Sequence, residues 1–400
     1  MDQIMNVNSY GLRIEIIASE EAFLAIKDEW DALIQKSINP SFYATYPFVH
    51  TAWKYFRSET DRLFILVVRR DATLVGIAPF RIGSVKVGNI RILRGIRLRV
   101  IRFIAEWGSG DKPTLVTIEE PERIWGSIFQ FLSKEFTQWD GIWLVEQPVN
   151  SPILNQRFLS NTWYSTMAVP NVTSFYTSIA GTWEEYLKTR GKNTYRTWKH
   201  SRKKLFDLPE GVVFQCVDDP ESIPESLKKF IDIEQSGWKK DRDFSVGGSE
   251  KNKRFYEELL VQLAHKNMAA IYLLTSGTTD IAGMIVYKNS TTVYGAQVTY
   301  CSVYAEYSPG VILNVEILRT LFGTHYQKYD FLGFQKGDEK NSLKKKWSTG
   351  SRQTITIFVN KRNFRMLLYY KGNRLKTVLR NVVSIMTGHK ASEQAQITEQ

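Results

Sequence analysis

Apolar residues recur along this 400-residue chain with two spacings, which together predict alternating helices and strands. Spacings of three or four positions behind a capping residue such as Ser19 indicate amphipathic helices, and short apolar runs between turn residues indicate strands. Helices are predicted at residues 19–33, 45–56, 121–136, 183–187, 221–235, 250–266 and 311–322. Strands are predicted at residues 63–68, 74–80, 141–145, 270–274, 281–287, 292–300 and 329–334.

The order of these elements occurs twice, which predicts a duplicated domain. In the two hairpins, Val75-Gly76-Ile77-Ala78 can be laid over Ala282-Gly283-Met284-Ile285. In the closing strands, Trp139-Asp140-Gly141-Ile142 can be laid over Tyr329-Asp330-Phe331-Leu332. A chain of this length also exceeds what one hydrophobic core usually organises.

We therefore predict an α/β (α+β) protein with two tandem domains, each a mixed, mostly antiparallel twisted sheet flanked by helices. The boundaries are placed at residues 10–165 and 170–360. Residues 361–400 form the remainder, a basic amphipathic helix followed by a polar tail. Five apolar residues share one face of that helix: Leu375, Val378, Leu379, Val382 and Met386. Residues 361–387 would contact an anionic membrane surface or dock on the protein itself, and both interpretations stay open.

Composition excludes several classes of site. The chain has two cysteines, Cys216 and Cys301, and five histidines without metal-ligand spacing, so neither a disulfide framework nor a metal site is expected. Serine-hydrolase, dinucleotide-binding and P-loop motifs do not occur. The sequence starts without a basic and apolar leader, and its apolar runs are far shorter than the ~20 residues of a membrane span. These patterns predict a cytoplasmic protein, free or at the inner face of the membrane.

The net charge of +12 is concentrated in two acid-free segments. Residues 81–102 hold seven basic residues and residues 361–390 hold eight. Basic residues also follow one another over residues 190–204. Such clusters bind an anionic partner or are solvated faces. For residues 190–204 the anionic partner would be a nucleotide- or lipid-linked carrier.

The most informative stretch leads from the strand at 292–300 into Ser308-Pro309-Gly310 and the helix that follows. Ser308 can cap this helix, Pro309 suits its first turn, and Gly310 allows a bound group to approach the backbone closely. Free N–H groups and the helix dipole would then bind a pyrophosphate. The equivalent helix of the first half begins with Glu119-Glu120-Pro121-Glu122, whose carboxylates would repel that group. The second half is therefore predicted to bind the cofactor, and the first half to have no phosphate loop.

At these positions the sequence resembles the CelD/BcsL-type GNAT acyltransferases, which are linked to cellulose and exopolysaccharide synthesis and are related in fold to the FemABX aminoacyl transferases. The resemblance spans residues 12–360 and includes Ser236-Gly237-Trp238-Lys239 and the hairpin Leu74–Phe80, but it rests mainly on four short runs in a fixed order. They are Ser308 to Leu313, Tyr329 to Leu332, Gly337-Asp338-Glu339, and Lys344 to Trp347. The resemblance implies two GNAT-like domains and an acyl-CoA co-substrate, acetyl-CoA or another, without a metal.

The resemblance also implies site residues. Ser308, Gly310 and Val311 would contact the CoA pyrophosphate, and Lys344, or Lys340 in another register, would be the family's lysine that stabilises the transition state. In this fold the thioester lies where the strands at 292–300 and 329–334 separate, and a carboxylate there would accept a proton from the acceptor. Two carboxylates lie at or just after the end of the second strand, Asp330 and Asp338. Three residues are candidates for substrate contact: Trp238, Lys239 and Tyr300.

These observations predict an N-acyltransferase that moves an acyl group, in the first place acetyl, from acyl-CoA to an amine. The acceptor expected from the resemblance is an amino sugar of a surface polysaccharide or its precursor. One alternative is an aminoacyl-tRNA-dependent transferase of FemABX type. A second is a non-catalytic protein that binds membrane or polysaccharide and retains the fold. DNA is not an expected partner.

Overall fold

A computed structural model describes residues 11–37, 41–87, 96–106, 115–118, 121–155, 163–237, 245–333 and 343–371. Its strands form one sheet that runs through both halves of the chain. The strands are β1 (Arg13–Ile17), β2 (Arg62–Arg70), β3 (Thr73–Lys86), β4 (Arg97–Phe103), β5 (Val116–Thr117), β6 (Gly141–Pro148), β7 (Tyr164–Ser178), β8 (Val213–Val217), β9 (Ala269–Ser276), β10 (Thr279–Lys288), β11 (Thr292–Tyr300), β12 (Lys328–Gly333) and β13 (Gly350–Lys361).

The helices flank this sheet on both faces. They are α1 (Glu20–Ala25), α2 (Lys27–Lys36), α3 (Tyr46–Phe56), α4 (Pro121–Lys134), α5 (Trp183–Lys188), α6 (Lys192–Phe206), α7 (Ile223–Gln235), α8 (Glu250–Ala264), α9 (Pro309–Leu321) and α10 (Leu343–Trp347). A further helix covers residues 364–371. The predicted helix at 19–33 is divided into α1 and α2 at Ile26, which caps both. The amphipathic segment predicted at 375–386 lies outside the described residues.

The strand order along the sheet is β1-β2-β3-β4-β6-β13-β7-β12-β11-β10-β9-β8, with β5 paired to β3. Most neighbours are antiparallel, but β4 pairs with β6 and β11 pairs with β12 in parallel. In each half, three successive antiparallel strands lead into one parallel pair, and a helix (α4 or α9) connects the two parallel strands. This recurrence confirms the predicted fold class of two GNAT-like units, each a mostly antiparallel sheet flanked by helices.

The centre of the sheet is an exchange of strands between the halves. β13, late in the chain, pairs with β6 of the first half, and β7 pairs with both β13 and β12 of the second half. The predicted division at residues 165–170 therefore falls inside one 15-residue strand. Neither β7 nor β13 was predicted from the sequence.

The two sheet faces carry different cores. On one face the helices of both halves share a single cluster, in which Phe48 of α3 meets Phe255 of α8 with ring centroids 5.9 Å apart. On the other face each half has a separate core, one beneath α4 and one beneath α9. The halves therefore bury apolar surface against each other on one face, in addition to sharing backbone hydrogen bonds.

The residue-by-residue overlay of the two hairpins is wrong, although both hairpins exist as β2–β3 and β9–β10. A side chain at Gly76 would meet Ile124 of α4 at 3.0 Å, whereas one at Gly283 would meet Phe230 of α7 at 2.8 Å. In the repeated unit, α4 of the first half corresponds to α9 of the second. Gly76 thus faces the layer of α4 and α9, whereas Gly283 faces the opposite layer, which contains α7. Because strand residues alternate between faces, the true register differs from the overlay by an odd number of residues.

Candidate active site

The parallel strands β11 and β12 separate soon after they meet. Their ladder holds three pairs and ends at Tyr294 opposite Asp330, while β11 continues to Tyr300. After Asp330, β12 also shifts its register against β7, and Leu332 takes a left-handed backbone conformation with φ 57°. The predicted gap between these strands is therefore present, and it opens at the carboxyl end of β12.

A β-bulge lies in β11 beside this gap. Ile285 of β10 is opposite Gln297, but the next residue, Val286, is opposite Gly295, so Ala296 is the additional residue. A bulge leaves the additional residue outside the regular ladder and changes the direction of the strand and its side chains. In this position it turns β11 away from β12.

The start of α9 lies just beyond the end of β11. Ser308 has φ 55° and ψ 49°, and its carbonyl accepts hydrogen bonds from the N–H groups of Val311 (3.0 Å) and Ile312 (3.1 Å). Ser308 is exposed, Val311 is half-buried, and the first turn of α9 contains no acidic residue. Of the three predicted pyrophosphate contacts, Ser308, Gly310 and Val311, the first and the last thus reach the surface at this helix start.

Two predicted details of this turn need correction. The Ser308 side chain makes no capping hydrogen bond, because its left-handed backbone departs from the extended conformation of a capping residue. Gly310 is buried, and a Cβ on it would lie 3.2 Å from Cδ1 of Tyr300. The close neighbour of Gly310 is thus the ring of Tyr300, which was predicted to contact substrate.

Lys344 lies at the open end of the gap. Its Nζ donates hydrogen bonds to the carbonyl oxygens of Gly333 (2.8 Å) and Leu332 (3.4 Å) at the end of β12. Trp347 anchors the short helix α10, since its side chain is buried and its carbonyl accepts hydrogen bonds from Thr177 Oγ1 (2.6 Å) and from the Tyr186 hydroxyl. The local fold thus fixes the position of the Lys344 ammonium group.

Asp330 is fully buried beside the gap and both of its oxygens are engaged. Oδ1 accepts the N–H of Leu332 at 2.8 Å, and Oδ2 accepts a hydrogen bond from Nη1 of Arg352 at 2.5 Å. These bonds stabilise the left-handed turn at Leu332 and tie β12 to β13. The geometry gives Asp330 a structural role at the site.

A group of polar residues on the α7 side of β11, which includes the buried Glu234, was not predicted. Gln297 Nε2 donates to the hydroxyl of Tyr256 at 3.3 Å. Glu234 of α7 is 1% exposed; its Oε2 accepts the N–H of Gly247 at 2.8 Å, and its Oε1 has no hydrogen-bond partner among the described residues. Burial raises the pKa of Tyr256 to about 12, and the charge of Glu234 adds to this shift.

The sequence did contain a signal for Glu234. Apolar residues at 223, 227, 230 and 231 form the inward stripe of α7, and Glu234 continues that stripe with a carboxylate. A buried carboxylate is costly unless it is paired or has a function. At the end of the same helix, a side chain on Gly237 would lie 2.6 Å from the carbonyl oxygen of Tyr300, so α7 ends against the end of β11.

The first half also contributes to this neighbourhood. Phe42 packs on Tyr294 of β11 with ring centroids 4.8 Å apart. Burial raises the pKa of the adjacent Tyr43 well above its usual value, and the charges of Glu146 and Asp330 raise it further. Tyr43 therefore lies within electrostatic range of both carboxylates.

The remaining predicted residues fall in two groups. Four lie outside the described residues: Trp238, Lys239, Asp338 and Lys340. The basic run at 190–204 largely forms α6, which is attached to α9 by a 2.7 Å ion pair between Arg202 and the buried Glu316. Most of its other basic side chains are exposed, which leaves both interpretations of that run open.

The first basic segment is partly internal. Arg81 forms ion pairs with Asp61 (2.9 Å) and Glu106 (2.6 Å), and Arg102 lies over the Trp143 ring at 4.8 Å. Burial lowers the pKa of Arg102. These arginines satisfy internal carboxylates and an aromatic face, so they do not form an open anion-binding patch.

Part of the chain matches an acetyltransferase family. Residues 192–341 match the family model described as acetyltransferase (GNAT) domain, and this stretch contains β11, α9, β12 and the gap between the strands. The chain is accordingly an acyltransferase, and the alternative of a non-catalytic protein that retains the fold is set aside. No curated protein matches the sequence.

Solved structures extend the likeness of fold to both halves. The crystal structure of FemX is similar with a TM-score of 0.57 and 12% identity, over 86% of this chain and 97% of that chain. A conserved protein of unknown function from Bacteroides thetaiotaomicron is similar with a TM-score of 0.50 and 11% identity, over 90% of this chain and 100% of that chain. At these identities the likeness concerns the fold alone.

Two further findings concern the environment of the site. The described residues contain no group of three or more His, Cys, Asp or Glu side chains placed to hold a metal ion. Within the same ranges, each helix is too short or too polar to cross a membrane.

Proposed function

We propose that the chain transfers an acyl group, in the first place acetyl, from acyl-CoA to an amine. One observation carries the proposal: the β11–β12 gap has an accessible, acid-free helix start beyond the end of β11 and a fixed lysine at the end of β12. The first of these suits the diphosphate of the donor and the second suits its carbonyl oxygen.

The start of α9 fits the donor in charge and in access. Its dipole end is positive, its first turn is free of carboxylates, and Ser308 and Val311 reach the surface. The adjacent helix α6 adds basic side chains. Acyl-CoA brings an activated acyl group as a thioester, and the protein holds it in the gap with Ser308, Gly310 and Val311 at the diphosphate.

Lys344 is the proposed electrostatic catalyst. As the amine nitrogen bonds to the acyl carbon and the C–S bond breaks, negative charge develops on the acyl oxygen. A fixed cation or N–H donor aimed at that oxygen contributes on the order of 3 kcal/mol. The carbonyl groups of Leu332 and Gly333 already hold the Lys344 ammonium at this end of the gap.

The amine must lose a proton to attack, so the site needs a proton acceptor. We propose Glu234 for this role, together with Asp338 as the alternative from the sequence. Glu234 is buried, carries one oxygen without a described partner, and lies on the helix that ends against β11. The engaged oxygens of Asp330 make it a weaker candidate.

The proposed acceptor is the amine of an amino sugar in a surface polysaccharide or its precursor. This part rests on the resemblance to CelD/BcsL-type acyltransferases. The cluster of aromatic and polar groups on the α7–α8 face, which includes Tyr294, Tyr256 and Gln297, supports it, because aromatic faces with polar edges pack well against sugar rings.

Ligand-dependent stability and product formation test the proposal. Acetyl-CoA at ~100 times its dissociation constant should add about 2.7 kcal/mol to the free energy of unfolding and raise the melting temperature. Thiol release should then depend on an added amino sugar. If neither acetyl-CoA nor longer acyl-CoAs stabilise the protein or release thiol with any amine, the proposal is wrong.

The similarity to FemX favours a second candidate, an aminoacyl-tRNA-dependent transferase of FemABX type. Helices α7 and α8 have 13 and 15 residues, and residues 163–237 and 245–333 contain no long helical arm of the kind some FemABX members carry. Charged tRNA belongs in the same ligand screen. Stabilisation by charged tRNA that falls steeply with salt, without a response to acyl-CoA, would support this candidate.

A further inference from the structure

An exposed apolar surface lies where β7 begins and β13 ends. Five of the nine large apolar side chains that are exposed in the described ranges belong to these segments or to the helix at 364–371. Their exposed fractions are Trp163 73%, Met167 45%, Phe364 70%, Leu367 49% and Tyr370 39%. Single exposed apolar residues are ordinary, but a contiguous group marks an interaction surface.

Hydrogen bonds and register bring these residues together. The N–H of Arg362 donates to the carbonyl oxygen of Trp163 at 2.9 Å, just before the helix at 364–371 begins. Met167 lies directly opposite Phe358 in the β7–β13 ladder. Because side chains alternate along a strand, Trp163 and Met167 lie on the same sheet face as Phe358.

The helix at 364–371 lies across that face. Its buried residues Met366 and Tyr369 pack into a small core with Phe358 and Trp143, and the Tyr369 and Trp143 ring centroids are 5.6 Å apart. Nδ2 of Asn360 donates to the Tyr370 hydroxyl at 2.7 Å. One side of the helix is thereby fixed to the sheet, and Phe364 and Leu367 project from the other side.

The charge of this surface has one sign. Residues 361–371 contain four basic residues and no acid, and β7 contains no charged residue. Arg362, Arg365 and Lys371 are exposed. Asp140 lies nearby, 3.8 Å from Arg365, but it is buried and also accepts hydrogen bonds from the Arg99 N–H and from Asn363.

We propose that this surface binds the face of a bilayer that contains anionic phospholipids, without crossing it. Trp and Tyr favour the interfacial region, Phe and Leu insert below the headgroups, and each nearby cation adds about 1 kcal/mol at an anionic surface. The proposal is independent of the acyl-transfer chemistry and would bring an acceptor attached to a membrane close to the enzyme.

Vesicle sedimentation with the full chain tests the proposal. We expect binding to phosphatidylcholine vesicles with about 30% phosphatidylglycerol, weak binding to pure phosphatidylcholine, and loss of binding when salt rises to ~0.5 M. The triple variant Trp163→Ser/Phe364→Ser/Leu367→Ser should bind at least about tenfold more weakly. The control Leu24→Ser/Val213→Ser/Val303→Ser removes three exposed apolar side chains elsewhere and should bind like the unaltered protein.

Melting temperatures distinguish whether a bilayer or the chain's own C-terminal tail covers this surface. If the tail covered the surface, the triple variant would lower the melting temperature by several degrees and leave vesicle binding unchanged, which contradicts the proposal. Equal binding to neutral vesicles, equal weakening by the control, or no binding of the full chain to anionic vesicles at low salt would each contradict it as well. A separate charge variant, Arg362→Glu/Lys371→Glu, changes two exposed residues and should reduce binding to anionic vesicles without lowering the melting temperature.

Discussion

The two halves repeat one framework but differ where their parallel strands separate. In the first half the residues that follow the last ladder pair are Arg102 and Trp143, which stack at 4.8 Å and fill the space. In the second half the corresponding space borders Tyr294, the bulge at Ala296 and the ammonium group of Lys344. The same backbone arrangement thus carries a stacked Arg102–Trp143 pair in one half and a lysine ammonium group in the other.

The helix starts beside these gaps differ in charge as well. The first turn of α4 contains Glu122, whereas the first turn of α9 contains no acid and is preceded by the exposed, left-handed Ser308. A positive helix end that is already neutralised has little attraction left for a diphosphate. The comparison teaches that two halves with one backbone framework differ in side chains at the strand ends and in charge at the helix start.

The largest effect is expected from the cation at the open gap. Lys344→Met should lower kcat with acyl-CoA by about 10²–10³-fold, because it removes the charge aimed at the acyl oxygen. Steady-state thiol release measures the effect. Lys345→Met is the matched control, since Lys345 is exposed on the same short helix. Equal losses in the two variants would contradict the assignment of Lys344.

The proton acceptor should have the next effect. Glu234→Gln should lower kcat about 10²-fold and change its pH profile, because the amide cannot accept a proton. Asp232→Asn, an exposed carboxylate on the same helix, should leave kcat unchanged. If Glu234→Gln retains full activity while Asp338→Asn loses it, Asp338 is the acceptor.

A smaller effect follows from placing an acid at the start of α9. Val311→Glu should weaken acyl-CoA binding about tenfold or more, because like charges placed together cost on the order of several kcal/mol. Titration calorimetry with acetyl-CoA and with CoA measures it. Glu122→Gln, at the corresponding helix of the first half, should leave affinity unchanged. A change in affinity for Glu122→Gln would show that the first half also takes part in donor binding.

The smallest effect concerns two tyrosines with similar pKa values, one in each half, of which Tyr46 is buried and Tyr256 is partly buried. Burial raises the pKa of Tyr256 and of Tyr46 to about 12, above the ~10 of an unfolded chain. The unfolded state therefore loses each proton first, so stability is present below pH ~10 and falls between about pH 10 and 12. For Tyr256→Phe this loss should be smaller by about 1.4 kcal/mol at pH ~11, as measured by urea unfolding.

Activity then separates the two tyrosines. Tyr256→Phe should alter the KM for the amine at neutral pH, because Tyr256 lies beside Gln297 and the gap. Tyr46→Phe should change the dependence of stability on pH in the same direction but leave the KM unaltered, since Tyr46 packs against Phe23 and Trp30 in the first half. The same effect of both variants on KM would remove Tyr256 from the acceptor site.

Local patterns predicted much of this fold. β11 has the predicted bounds, and α9 begins two residues before its predicted start, because contiguous apolar residues, Pro309 and Gly310 act within a few positions. The strands β7 and β13 could not be predicted from such local patterns. β7 is largely half-exposed and contains Pro170, and its partners β12 and β13 lie about 150 to 200 residues away in the sequence.

One part of the candidate site could likewise be predicted from local patterns, and another part could not. The predicted turn at Ser308 is one continuous segment, so the sequence could locate it. The grouping of Glu234, Tyr256 and Gln297 depends on how α7 and α8 pack on β11, and Tyr43 arrives from the other half of the chain. Such groupings depend on packing between distant parts of the chain, which cannot be predicted from local patterns in a single sequence.

The position of β13 also limits how this chain could be divided or recombined. A gene cut after β7 would leave β6 without β13 and β7 with two unpaired edges, and exposed strand edges favour aggregation. The repeats could therefore diverge in sequence after duplication, but they remain obliged to be inherited and synthesised together. Each half thus completes the sheet of the other.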